Sequence, residues 1–248
     1  MDITLKLMEG MTLFIIILPL IAFLYASVGH GGASGYIALM ALFSLPITTM
    51  KQTALILNLF VAGITFYQFH KAGHFKINLL TWFIIGSIPA AYLGGNISVD
   101  PFWYKKILGF FLVIAILRML LIPKVSNESK TLIPYLAILI GIIIGFLSGL
   151  IGIGGGIILS PVILLLGWAT IKQTAAISAA FIWLNSSAAL LGQFNSGVHL
   201  ASDSLIFIAL ALVGGYFGSY YGAKKLSKKK MSYLLMVVLG AASFKLLM

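Results

Sequence analysis

Two short glycine-rich stretches are the parts of this sequence best suited to do chemistry. They are Gly29, His30, Gly31 and Gly32 in GHGGA, and Gly152, Gly154, Gly155 and Gly156 in GIGGG. Glycine accepts a positive φ at no steric cost and lets backbone pass close to a ligand or another helix. Where a helix starts directly after such a cluster, its first N–H groups have no intrahelical partner. Together with the positive end of the helix dipole they form a pocket suited to an anion. Close packing of helices is the competing use of such glycines. Gly141, Gly145 and Gly149, spaced four apart, fit that second use better.

Other polar residues surround these clusters in the sequence. Lys51, Gln52 and Thr53 share the context KQTA with Lys172, Gln173 and Thr174. The two lysines can snorkel to lipid headgroups or draw anions to opposite mouths of a pathway. The amides and hydroxyls beside them serve equally as helix caps. Ser34, Asn58, Gln68, Asn185, Ser186, Ser187 and Gln193 fall inside apolar runs, where polar groups are costly. They can hydrogen-bond anion oxygens without charge compensation, or hold helices together.

His30 is titratable, and Ile153 stands in its place in the second cluster. Such a group could couple proton movement to transport, or could be structural, donating to a backbone carbonyl. His70, His74 and His199 fall in expected loops, and their spacing indicates no metal site. The five acidic residues, Asp2, Glu9, Asp100, Glu128 and Asp203, all fall in expected termini or loops. No intramembrane carboxylate pair is available for acid/base catalysis or cation coordination. An anion is the better substrate class, and neither an enzymatic reaction nor a cofactor is implied.

The elements that must position these groups follow from composition. Apolar residues make up 61% of the 248 and charged ones 8%, where soluble domains carry about 45–50% and about 25%. The chain is therefore expected to be an all-α, polytopic integral membrane protein. In that setting the formal net charge of +11 is a topology signal in short loops and gives no reason to expect a nucleic-acid partner. There is no cysteine for a disulfide or a thiolate metal site. No small-residue cleavage site follows the first apolar run, so it is expected to be a retained helix.

Apolar periodicity predicts helices at Met11–Val28, Ala33–Leu45, Thr49–Phe69, Ile77–Ile97, Phe102–Ile122, Leu132–Leu150, Gly156–Leu166, Ile171–Phe194, Ser202–Ala223 and Lys230–Leu247. Crossing a core about 30 Å thick takes about 20 residues. The second and seventh segments are too short for that, and each directly follows a glycine cluster. Broken or re-entrant helices explain them, tolerated where the freed backbone is buried in protein or lines a wet cavity.

The second half restates the first. The glycine clusters recur at an offset of 123, KQTA at 121, Gln68-Phe69 as Gln193-Phe194 at 125, and Tyr92-Leu93-Gly94 as Tyr216-Phe217-Gly218 at 124. This predicts a first repeat over 1–122, a polar linker over 123–131 containing Pro123, Lys124, Asn127, Glu128 and Lys130, and a second repeat over 132–248. Five segments per half would invert one copy relative to the other, a plan common in secondary transporters. The charge bias agrees: placing the Gly222–Lys230 loop in the cytoplasm puts 11 of the 16 basic residues inside and both termini outside. Were each glycine-broken pair a single crossing, the halves would instead be parallel.

The paired GxGGG-like loops, the proline after the second (Gly152 to Pro161, GIGGGIILSP), the two-fold repeat and the length resemble the TauE/SafE family of sulfite exporters, also called the toluene sulfonate uptake permease family. The resemblance covers essentially the whole chain. It implies a bacterial inner-membrane secondary carrier for sulfite, a sulfonate or a similar sulfur-containing anion, with the two glycine loops and adjacent polar residues as the path. The first loop departs from the pattern, reading GHGGA with no proline until Pro46. The reading that follows is alternating access by two inverted halves, with protons as a coupling ion. The partners are the anion and the lipid bilayer, and the glycine-rich faces also admit a homodimer. A channel or a non-transporting membrane subunit stands as the alternative.

Overall fold

The computed structural model describes residues 2–43, 45–120, 130–194, 204–224 and 244, and among these the only regular structure is helical. The elements are α1 (Asp2–Ser27), α2 (Ala33–Leu42), α3 (Ile47–Lys71), α4 (Ile77–Asn96), α5 (Pro101–Leu120), α6 (Pro134–Ile151), α7 (Gly156–Leu166), α8 (Ile171–Gln193) and α9 (Ser204–Lys224). Among the described residues, five stretches are long and apolar enough to cross a membrane: Thr49–Lys71, Ile77–Asn96, Pro134–Ile151, Ile171–Gln193 and Leu205–Lys224. The expected helix at Lys230–Leu247, His199 and most of the polar linker lie outside the described residues.

Some helix starts differ from expectation. α1 begins at Asp2 rather than Met11, which makes Lys6 and Glu9 helical. α3 begins at Ile47, directly after Pro46 with its φ of −60°, because proline's fixed φ suits the edge of a first turn. His70 therefore sits in the last turn of α3 instead of in a loop.

The two short helices turn back on the helices before them. Ser34 Oγ donates to the Tyr25 hydroxyl at 2.8 Å, Gly35 lies against Tyr25 and Ile21, and the Phe43 ring meets Phe14 at 5.6 Å. α2 thus retraces α1 in the opposite direction. α7 likewise returns toward the start of α6, where the Lys130 N–H donates to the Gly167 carbonyl at 2.7 Å. With 10 and 11 residues at about 1.5 Å each, either helix covers about half of a hydrocarbon core.

Glycine stripes set the longer contacts. Gly141, Gly145 and Gly149 of α6 rest on the backbone of Phe83, Ser87 and Ala91 of α4, so these helices run parallel. Gly214, Gly218 and Gly222 of α9 rest in the same way on Pro19, Phe23 and Ser27 of α1. A Cβ at any of these six positions would collide with a main-chain carbonyl. Small residues allow this approach where burial against lipid-like surroundings offers no hydrophobic drive.

α3 and α8 cross in opposite directions at the centre. Leu55 clusters with Ala189 and Leu190, Asn58 bonds Ser186, Gly63 meets Trp183, and Phe69 clusters with Ala175 and Ala176. The bundle's two ends differ in charge. Phe69, Ala175, Ala223 and Phe75 form one cluster, which brings Lys71, Lys76, Lys172 and Lys224 to a common end. Lys130 joins them through a cavity it lines with Lys76. Lys51, Lys105 and Lys106 fall at the other end by the directions of α3, α4 and α5.

Candidate functional site

Chain reversal at both glycine clusters depends on left-handed backbone. Gly29 and Gly32 have φ of 84° and 103°, and Gly152, Gly154 and Gly155 have 87°, 73° and 77°. The loops are buried throughout, so the carbonyls freed by the breaks need partners. Tyrosine hydroxyls supply two of them: Tyr36 donates to Gly31 O and Tyr104 to Ile151 O, both at 2.8 Å.

The loops converge on the α3–α8 crossing. Gly31 packs on the Asn58 side-chain oxygen and Gly154 on its side-chain nitrogen, while Ile182 touches Gly31, Gly154 and Gly156. Each loop also sits at the KQTA start of the other half's helix. Gly29 lies against Ala175, and a Cβ on Gly152 would come within 2.8 Å of Lys51 Cγ.

His30 joins the two loops directly. Its Nε2 lies 3.1 Å from the Gly156 carbonyl oxygen and 3.2 Å from Ser160 Oγ. Its Nδ1 lies 3.2 Å from Val28 O, and Ser160 Oγ lies 2.7 Å from Ser178 Oγ. A neutral imidazole carries one N–H: with it on Nδ1 the ring donates to Val28 O and accepts from Ser160 at Nε2, and with it on Nε2 the ring donates to Gly156 O instead. A doubly protonated ring can donate to both carbonyls. The surroundings therefore accommodate either protonation state with different partners, while the ring remains 4% exposed.

Asn58 ties the first break to α8. Its Oδ1 accepts the Ala33 N–H at 3.1 Å, and its Nδ2 donates to Ser186 Oγ at 3.2 Å. The Ala33 donor is the first of α2, a helix whose own N-cap Gly32 offers no side chain. α7 likewise starts without a cap from its N-cap residue, Gly155. Asn58 thus occupies with a neutral oxygen the position where the α2 terminus would meet an anion.

The remaining expected residues divide by location. Ser34 is buried and bonded to Tyr25, at the start of α2. Asn185 is buried in α8 with its Nδ2 on Phe181 O and its Oδ1 unpartnered, as are Thr174 Oγ1 and Gln193 Nε2. Gln193 lies at the opposite end of α8 from Thr174, away from the loop junction. Lys172 is exposed at the start of α8 and donates to Ala223 O at 3.2 Å. Lys51 sits a turn inside α3 and is half-buried, beside buried Gln52 and Thr53. Gln173 forms a capping box with Thr170, each side chain accepting from the other's backbone, at 3.0 and 3.4 Å. The KQTA copies are therefore alike in sequence but not in their helix starts.

Ser160 and Ser178 were not singled out by the sequence, although both are hydroxyls within apolar helices. Ser160 falls four residues after Gly156, one turn into the helix that the glycine loop opens, and this spacing is the signal that places it near the break. A titratable neighbour of His30 is Tyr25 of α1, ring to ring at 6.5 Å. No group of three or more potential metal ligands occurs among the described residues.

The sequence pattern of the family Sulfite exporter TauE/SafE matches residues 13–246. A "probable membrane transporter protein" of Sinorhizobium fredii is 38% identical over 232 residues, which cover 92% of this chain and 94% of that protein. Another, from Methanocaldococcus jannaschii, is 31% identical over 194 residues, covering 71% and 72% of the two chains. "Sulfite exporter TauE/SafE family protein 1" of Arabidopsis thaliana is 28% identical over 115 residues, 46% of this chain and 24% of its own. No solved structure matches. With the pattern spanning nearly the whole chain and apolar helices to carry it, this protein belongs to the TauE/SafE sulfite exporter family of membrane transporters.

Proposed function

We propose that the protein is a secondary carrier for a small sulfur-containing oxyanion, sulfite or a sulfonate, which binds at the junction of the two glycine loops. The observation that carries this reading is the 3.1 Å approach of His30 Nε2 to Gly156 O. It brings both breaks and the starts of α2 and α7 to one buried place. Around it stand the neutral polar side chains of Ser160, Ser178 and Asn58. Backbone N–H groups, hydroxyls and amides together suit an oxyanion, whose oxygens accept several hydrogen bonds at once. In the bound state an anion oxygen would replace Asn58 Oδ1 at the Ala33 N–H.

Alternating access is supported by the way the halves interlock. Under the 123–124 offset, Gly94 and Phe146 in the α4–α6 contact become Gly218 and Phe23 in the α9–α1 contact. The equivalent central helices α3 and α8 run oppositely, as two inverted five-segment halves require. Lysines gathered at the end shared by Lys71, Lys76, Lys130, Lys172 and Lys224 support a cytoplasmic assignment for it in a bacterial inner membrane. Proton coupling would act through His30, whose partners change with its charge.

Ligand binding to the folded state raises apparent stability, so a thermal-shift screen of purified protein against sulfite, sulfate, thiosulfate, sulfoacetate and taurine tests the substrate class. Stabilisation by one of these, followed by its uptake into proteoliposomes at saturable rates, is expected. Failure of all five to shift the unfolding midpoint would overturn the reading. Channel-like conductance would overturn the carrier mechanism alone.

A further inference from the structure

The lysine-rich end of the bundle carries an open cavity of about 390 Å³, lined by Lys76, Asn78, Lys130, Phe75, Leu132 and Trp168 among others. It lies where the start of α4, the residues before α6 and the α7–α8 turn meet, at the opposite end of α6 and α7 from the second glycine loop. We propose that this cavity is a binding site for the headgroup of an anionic glycerophospholipid.

Three observations select that occupant. The cationic groups, Lys76 and Lys130, are both exposed, and Asn78 adds a neutral donor, so one phosphodiester can be met without burying a charge. The rest of the lining is apolar, including Ile77 and Leu79, which matches a glycerol backbone and first methylenes better than a small dianion. Immediately along the two helices run exposed apolar side chains, Trp82 and Ile85 of α4 and Tyr135 and Leu139 of α6, a surface for the acyl chains. Basic pockets between transmembrane helices hold anionic lipid headgroups by this combination.

The local backbone keeps the site formed without the ligand. The Lys130 N–H is bonded to Gly167 O at 2.7 Å, and the Lys130 stem lies over Gly167, whose added Cβ would be 3.5 Å from Lys130 Cδ and Cγ. Trp168 beneath is 5% exposed and packs on Phe83 at 6.0 Å. Replacing either lysine head with a neutral amide leaves these contacts in place.

The test uses full-length protein in neutral detergent, titrated separately with phosphatidylglycerol, phosphatidylcholine and glycerol 3-phosphate. Unfolding midpoints are read together with lipid retained in native mass spectrometry. Phosphatidylglycerol is expected to raise the midpoint by several degrees and to be retained, while the other two do neither. The double variant Lys76→Gln/Lys130→Gln is expected to keep the lipid-free midpoint and lose both effects. A control of equal charge, Lys71→Gln/Lys224→Gln, from the same end but outside the cavity, is expected to retain them. Equal effects in the first double variant, or equal loss in the control, would overturn the proposal. A full shift with glycerol 3-phosphate would do so too, by assigning the cavity to a free phosphate ester.

Discussion

Gly94 of α4 lies directly against the carbonyl of Phe146 in α6, leaving no room for a Cβ. Gly218 of α9 lies in the same way against Phe23 of α1. Each contact also recurs one or two turns away, at Gly86 and at Gly214 and Gly222, so the helices meet along a seam. A methyl group there must push two backbones apart. Gly94→Ala and Gly218→Ala are each expected to destabilise by about 1–3 kcal/mol, the usual range for overpacking. Gly63→Ala, whose Cβ would meet Trp183 at an ordinary 3.4 Å, is the control. Unfolding midpoints in detergent check this, and equal losses at all three sites would contradict the seam.

Asn58 offers a second test, because it holds two partners with one side chain. Asn58→Ala leaves the buried Ala33 N–H and Ser186 hydroxyl without it. A buried donor left unsatisfied costs about 1–3 kcal/mol. Asn58→Asp retains an acceptor for Ala33 but places a carboxylate where the anion is proposed to bind. It is therefore expected to suppress anion-dependent stabilisation more than it lowers the ligand-free midpoint. Matching losses in both quantities would assign Asn58 a structural role only.

Much of this arrangement was legible because it is written in short motifs. The breaks at Gly29–Gly32 and Gly152–Gly156 needed only local glycine chemistry and the shortness of the following runs. The all-α, multi-pass character follows from composition. What stayed hidden was long-range pairing. Tyr104 reaches Ile151 across 47 residues and Ser160 reaches His30 across 130, and no local periodicity encodes either. The KQTA copies showed the opposite failure. Identical tetrapeptides suggested equivalent positions, but Thr170 caps α8 where Pro46 precedes α3. Lys51 is thereby carried one turn into its helix, half-buried, while Lys172 stays exposed.

His30 separates transport from its coupling. With two carbonyls and one hydroxyl around the ring, a charged imidazole gains a second donor that a neutral one lacks. His30→Gln retains polarity but cannot titrate. Wild-type protein in proteoliposomes is expected to accumulate anion faster under an imposed pH gradient, whereas the variant's flux is expected to be the same with and without it. Ser160→Ala, which removes the hydroxyl beside Nε2, is expected to weaken the dependence without abolishing it. Wild-type flux indifferent to the gradient would sink the coupling.

His74, in the turn between α3 and α4, gives a stability prediction with a definite sign. Partial burial and then the nearby Lys172 ammonium lower its pKa below the ordinary 6.5, so the folded protein binds this proton less readily than the unfolded chain. Stability contributed by the neutral ring is thus complete above about 6.5 and declines as pH falls from there toward the lower folded value. The loss is expected to be small, because the ring is only half-buried and solvent screens its neighbour. Lys172→Gln removes the second cause and is expected to flatten the decline, and His74→Gln to remove this group's share. Unfolding midpoints between pH 7.5 and about pH 5 measure it. A steeper decline in Lys172→Gln than in the parent would show that the ammonium does not oppose protonation of His74.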